Sequence, residues 1–159
     1  MTTKEMVLSL FHFRFKQEVG FVPLMDAIKE LTAEQASWQP SKEGHSIWQI
    51  VNHLVYWNTR MLDQLEGRNR NQAIIENNDT FGNPGDRKDE AGWQSTMEQT
   101  YKLFEKMQEE VSKLDDSQFD KVVDDDGTTL KVVLGDMAMH DSYHIGQILY
   151  IRKLQGVTR

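Results

Sequence analysis

Two histidines, His140 and His144, stand four positions apart late in the sequence. On a helix that spacing puts two imidazoles on one face, about one turn apart, able to converge on one metal ion. Both lie within an apolar series of Val133, Met137, Ile148 and Ile151, so the pair faces inward. Two buried neutral imidazoles need two sets of partners, and one shared cation supplies both. A third histidine, His53, lies between Ile50 and Trp57, near the edge of another inward-facing stripe. Three histidines with an open fourth position form the pattern of catalytic zinc, whereas structural zinc is usually closed by four protein ligands. The plain alternative is a set of core histidines, each satisfied by hydrogen bonds. Spacing alone leaves the third ligand open.

The two other histidines read differently. His12 sits beside Phe11 and Phe13 and reads as a packing or surface residue. His45 reads as a loop residue, close enough to the next helix to leave an approach to the site open. Trp38, Trp48, Trp57 and Trp93 read as core or helix-contact residues. Richer motifs are missing. His140 is followed by Asp141, not Glu, so the segment is not the HExxH of metalloproteases. A di-iron bundle needs two Glu-x-x-His units, and Asp141 to His144 resembles half of one. The run Asp124-Asp125-Asp126-Gly127 lacks the alternating ligands of a calcium loop and reads as a solvated turn. No glycine-rich phosphate loop, dinucleotide fingerprint or nucleophile elbow is present. Arg60, Arg68, Arg70 and Arg87 are scattered and define no anion site.

The elements that must hold these histidines are helices. Three prolines and ten glycines in 159 residues leave room for long ones. The first helical stretch is predicted over residues 3–31, with a kink or short break at Gly20 and Pro23. The second is predicted over 47–66, capped by Ser46 with Gln49 three residues on, and stopped by Gly67. The third runs over 90–114 and the fourth over 129–154. Residues 68–90 form the longest irregular segment, which reads either as a cover over a site or as a plain solvated connection. Within it the sequon Asn78-Asp79-Thr80 reads as accidental. The run Phe119 to Val123 is the one strand-like segment. The fold class is therefore all-α, a four-helix bundle in one domain over 1–159.

Composition limits the function. The net charge is −7, with a pI near 5.2. That argues against a nucleic-acid partner and against an anionic membrane surface. No run approaches a spanning helix, and the start lacks the basic and small-residue features of a signal peptide. There are no cysteines. Disulfides, cysteine-ligated metals and a protein thiol nucleophile are excluded, which fits a cytoplasmic protein.

Two segments resemble a known family. His53 within Ser46-Ile47-Trp48-Gln49-Ile50-Val51-Asn52-His53-Leu54, and then His140-Asp-Ser-Tyr-His144-Ile145-Gly146-Gln147-Ile148, are similar to the DinB/YfiT-like metalloprotein superfamily. The likeness covers nearly the whole chain, and the closing H-x-x-x-H-x-G-Q-I is its most specific part. It implies an up-down-down-up four-helix bundle with a long connection between the second and third helices. It implies one divalent metal, nickel or zinc, on His53, His140 and His144. Better-understood relatives are metal-dependent bacillithiol or mycothiol S-transferases and maleylpyruvate isomerase, and dimers are common among them. The resemblance thus implies a small-molecule substrate, an external low-molecular-weight thiol as possible cofactor, and a homodimer. A non-catalytic metal-binding, stress-associated protein and a metal-dependent hydrolase are the alternatives. A cation favours the thiolate form of a thiol, and the sulfur must be external here. Asp136 and Gln147 are placed to support His140 and His144 from i−4 and i+3. Asn52, Asp141 and Tyr143 point away from the ligand direction, since a helix turns ~100° per residue.

Overall fold

The computed structural model describes residues 1–68 and 73–157. Arg70, and part of the long irregular segment, lie outside the described residues. Four helices carry the bundle: α1 (Thr3–Phe15), α4 (Ile47–Leu65), α5 (Glu90–Lys113) and α6 (Leu130–Leu154). Two short helices, α2 (Leu24–Ile28) and α3 (Ala33–Ser37), lie between the first two. Short 3-10 helices occupy Asn77–Phe81 and Asp116–Asp120. Among the described residues there is no strand, only a bridge between Val122 and Thr129. No helix there is long and apolar enough to cross a membrane.

The boundaries follow local chemistry. Ser46 caps α4 by accepting from Gln49 N at 3.1 Å, and the Gln49 side chain accepts from Ser46 N at 3.0 Å. This reciprocal pair satisfies two donors that a helix start leaves unpaired. The same device opens α1 at Thr2 and Glu5. The first stretch departs from expectation. Helix α1 ends at Phe15, well before Gly20, and Pro23 starts a separate α2. Pro disfavours a helical conformation for the residue before it, and Val19 and Val22 are weak helix formers. Lys16 instead binds Glu105 on α5 at 2.5 Å, which ties the end of α1 to its neighbour.

Contacts fix the directions of the four long helices. Trp48 meets Trp93 near the starts of α4 and α5, so these two run the same way. Phe15 stacks on Phe104, while Lys4 N donates to Asp116 beyond the end of α5, so α1 runs against α5. Val7 near the start of α1 clusters with Leu130 and Leu134 at the start of α6, and Arg14 near the end of α1 pairs with Asp141 further along α6, so α1 and α6 run the same way. The order is up-down-down-up. It explains the long connection: a chain leaving α4 must travel back ~28 Å to start a parallel neighbour, at ~1.5 Å per residue. The returning chain lies along α4. Ser46 Oγ donates to Pro84 O at 2.8 Å, and Gln49 Nε2 to Gly82 O at 3.0 Å.

The core has two apolar clusters. One gathers Phe15, Leu24, Ile28, Trp48, Trp93, Phe104 and Ile148. The other gathers Val7, Phe11, Met61, Leu62, Met107, Phe119 and Leu134. Between them lie the buried polar residues Arg14, Asn58 and Asp141. Of the tryptophans, Trp93 and Trp48 are buried, Trp57 is half-buried and Trp38 is exposed.

One turn of the returning chain is tightly constrained. Gly85 has φ +93°, and a Cβ there would lie 2.3 Å from the Trp48 indole. We expect Gly85→Ala to lower the unfolding free energy by about 1–3 kcal/mol, from overpacking plus an unfavourable φ. Urea denaturation measures it, and an unchanged midpoint would contradict this packing of Gly85 on Trp48.

Candidate metal centre

The three histidines reach the centre by two routes. His140 and His144 are brought together by one turn of α6, their ring centroids 4.6 Å apart. His53 comes across from α4, with centroids 5.1 Å from His140 and 4.6 Å from His144. The ligand atoms of all three lie within 4.8 Å of one another. Among the described residues, no fourth histidine, aspartate or glutamate joins this group. His53 and His144 are buried, at 1% and 6% exposure, and the side chain of His140 is the most open at 30%.

The hydrogen bonds set the tautomers. Thr80 Oγ1 donates its one proton to Asn77 O at 2.5 Å. It therefore accepts from His53, whose Nδ1 is 2.5 Å away. Gln147 Oε1 accepts from His144 Nδ1 at 2.7 Å. Asp141 Oδ1 accepts from His140 Nδ1 at 3.3 Å. All three rings thus carry their proton on Nδ1 and present a lone pair on Nε2. His53 Nε2 and His140 Nε2 stand 3.0 Å apart. Two lone pairs at that distance repel unless a cation, or a proton on one of the two nitrogens, sits between them. Binding the outer nitrogen to an acceptor is how metal-ligating histidines are oriented and made more basic.

Electrostatics keep the rings neutral. Burial, with the neighbouring His144, His140 and His45, pushes His53 down to about 3. Burial pushes His144 down to about 4, although its bond to Gln147 acts the other way. Burial also lowers His140, while the charge of Asp136 partly offsets it. The sign for stability follows. Each folded-state value lies below the ordinary 6.5, so the unfolded chain binds more protons as pH falls below 6.5. The contribution is complete above 6.5 and is lost progressively toward the folded values of about 4 and 3. The urea midpoint of chelator-treated protein should fall from pH 7 to pH 5, and less steeply in His53→Phe. Equal slopes in the two proteins would contradict neutral burial of His53.

Only some of the supports predicted from sequence hold the histidines. Gln147 does hold His144. Asp136 is exposed and reaches His140 only through its charge. Asp141 was expected to point away, and its carboxylate is instead fully buried and bound to His140. A turn of ~100° moves it off the ligand face, but only toward α1, which is also interior. Asn52 donates to Phe81 O at 3.5 Å, and Tyr143 is exposed with its ring 5.0 Å from that of His144. Thr80, set aside as part of an accidental sequon, is the buried partner of His53. The returning connection therefore covers the site through Thr80 and Phe81, the first of the two readings its length left open. Phe81 stacks on His53 at 4.0 Å, and His45 stacks on Phe81 at 3.9 Å. His45 thus adjoins the centre without joining it, and half-buried His12 lies on α1 outside the group.

Two cavities draw wall residues from both α4 and α6, and neither has His53, His140 or His144 in its walls. One of about 980 Å³ has Trp57, Met61, Val133, Asp136 and Met137 in its walls. The other, of about 450 Å³, is lined by His45, Ile50, Tyr143, Gln147 and Tyr150.

No curated protein and no solved structure matches the chain. A family model does, over residues 24–148, a span that contains His53, Thr80, His140, Asp141 and His144. The likeness read from two short segments therefore extends across most of the molecule, and the chain belongs to the DinB superfamily.

Proposed function

We propose that this protein binds one divalent cation on His53, His140 and His144 and transfers the sulfur of an external thiol to small electrophiles. The observation that carries the metal reading is that one ligand nitrogen from each of three histidines lies within 4.8 Å of the others, while each Nδ1 is tied to an acceptor. A neutral imidazole set suits zinc or nickel. The bound cation would favour the thiolate over the thiol at neutral pH.

The chain's own residues supply the rest. Thr80, Asp141 and Gln147 orient the three rings, and Phe81 shields His53 from water. With no cysteine in the chain, the nucleophilic sulfur comes from a second small molecule. Gln147, the partner of His144, lines the smaller cavity, which gives a small molecule room beside the centre. The larger cavity mixes apolar walls, Met61 and Met137, with polar and charged ones, Arg60, Lys121 and Asp136. In the reaction the thiol gives its proton to solvent water and its sulfur forms a bond to an electrophilic carbon. The carbon's bond to the leaving group breaks, and that group departs with the electron pair.

The test is turnover of 1-chloro-2,4-dinitrobenzene or monobromobimane by zinc- or nickel-loaded protein, with a panel of low-molecular-weight thiols. Thiol-dependent adduct formation, absent in His140→Ala, is the expected result. Ester hydrolysis without thiol would favour the hydrolase alternative. Bound metal with no turnover of any pair would favour the non-catalytic one.

A further inference from the structure

A buried ionic layer crosses the bundle directly behind His140. Arg14 on α1 and Asp141 on α6 are 1% and 0% exposed and form an ion pair. Arg14 Nη2 also donates to Asn58 Oδ1 at 3.2 Å, and Nη1 to Met137 O at 3.5 Å. Asn58 Nδ2 donates to the two Asp141 oxygens at 3.2 and 3.1 Å, and to Leu54 O at 2.9 Å. The carboxylate is thereby divided. Its Oδ2 takes Arg14, and its Oδ1 is turned to His140 Nδ1.

Stability alone is a weak reason for such a layer, since apolar side chains of similar volume often serve as well. Its geometry gives a better one. A carboxylate held in place by Arg14 and Asn58 offers only an acceptor to His140, so the ring proton must sit on Nδ1.

We propose that Arg14 is a positioning residue for the metal centre: it anchors, with Asn58, the carboxylate of Asp141 that holds His140 with its Nε2 lone pair toward the other two histidines. Helix α1 lies outside the span matched by the family model, yet through Arg14 it acts on the centre without touching it. The consequence for metal affinity rests on the three-histidine site proposed above, whereas the consequence for the tautomer does not.

The variants follow from hydrogen-bond polarity. In Asp141→Asn, Arg14 still requires an oxygen at the Oδ2 position, so the amide NH₂ faces His140. Two donors cannot face each other, and the ring proton moves to Nε2. In Arg14→Met/Asp141→Asn that requirement is gone, and the amide oxygen can turn back to His140. The readouts are long-range ¹⁵N–¹H NMR of the imidazoles in metal-free protein, and zinc affinity by competition with a chromophoric chelator. Circular dichroism checks the fold. In the wild type His140 should be protonated on Nδ1. In Asp141→Asn it should be protonated on Nε2, with zinc affinity reduced roughly 10–100-fold. The double variant should regain the Nδ1 tautomer and most of the affinity. An Nε2-protonated His140 in the wild type overturns the inference, even if Asp141→Asn fails to fold. So does an Asp141→Asn protein with unchanged tautomer, or a double variant that regains neither tautomer nor affinity. A tautomer switch in a protein that takes up no zinc would sustain the positioning role and sink the metal reading.

Discussion

Replacing Arg14 by methionine lowers the unfolding free energy by about 3–5 kcal/mol. The loss arises from charge. Methionine roughly fills the space of the arginine stem between Phe11 and Phe104, whose rings lie 3.9 and 5.0 Å from the guanidinium. What it cannot supply is a positive charge for Asp141, which has no exposure to water. Burial pushes the Arg14 pKa down to about 9, which still leaves it charged at neutral pH. Removing it strands a buried carboxylate. Arg14→Met/Asp141→Leu removes both charges and should recover part of the loss. Recovery is incomplete because Asn58 Oδ1 loses its donor, a penalty of about 1–3 kcal/mol. Urea denaturation of the single and double variants measures this. A single variant no less stable than the double one would place the effect in packing instead.

The second large effect is the loss of metal-linked stabilisation when one of the three histidines is removed. A ligand that binds only the folded state stabilises it by RT ln(1 + [L]/Kd), about 4 kcal/mol at 1,000 times Kd. Zinc or nickel should therefore raise the melting temperature of the chelator-treated wild type. In His140→Ala two imidazoles remain, and affinity should fall at least as far as the roughly 100-fold that loss of a supporting group can cause. The metal-dependent rise should then disappear. The metal-free melting temperature should change little, because the substitution also removes the 3.0 Å approach of two Nε2 atoms. A rise equal to that of the wild type would show that the cation binds elsewhere.

Much of this architecture is written in short-range signals. Ser46 and Gln49 mark the start of α4 because capping is a matter of three residues. His140 and His144 mark the centre because one helical turn brings them together, and Gln147 falls at the next turn for the same reason. The remaining partners depend on docking. Arg14 is 127 residues from Asp141, and His53 is 27 from Thr80. No periodicity reports such pairs. One local signal was available: Arg14 lies between Phe11 and Phe15 on the buried side of α1, where a charge needs a partner. Thr80 gave no comparable sign. It reaches His53 because α4 and α5 run parallel, and the returning chain must pass the middle of α4. The early end of α1 is tertiary as well, with Lys16 held by Glu105.

Elemental analysis of untagged protein by mass spectrometry, beside His53→Ala and His140→Ala, tests the central claim most directly. A tag of histidines would bind metal itself. The account predicts about one zinc or nickel ion per chain in the wild type after reconstitution, and none in either variant while both stay folded. A folded wild type that holds neither metal, or variants that hold as much as it does, would contradict the three-histidine centre.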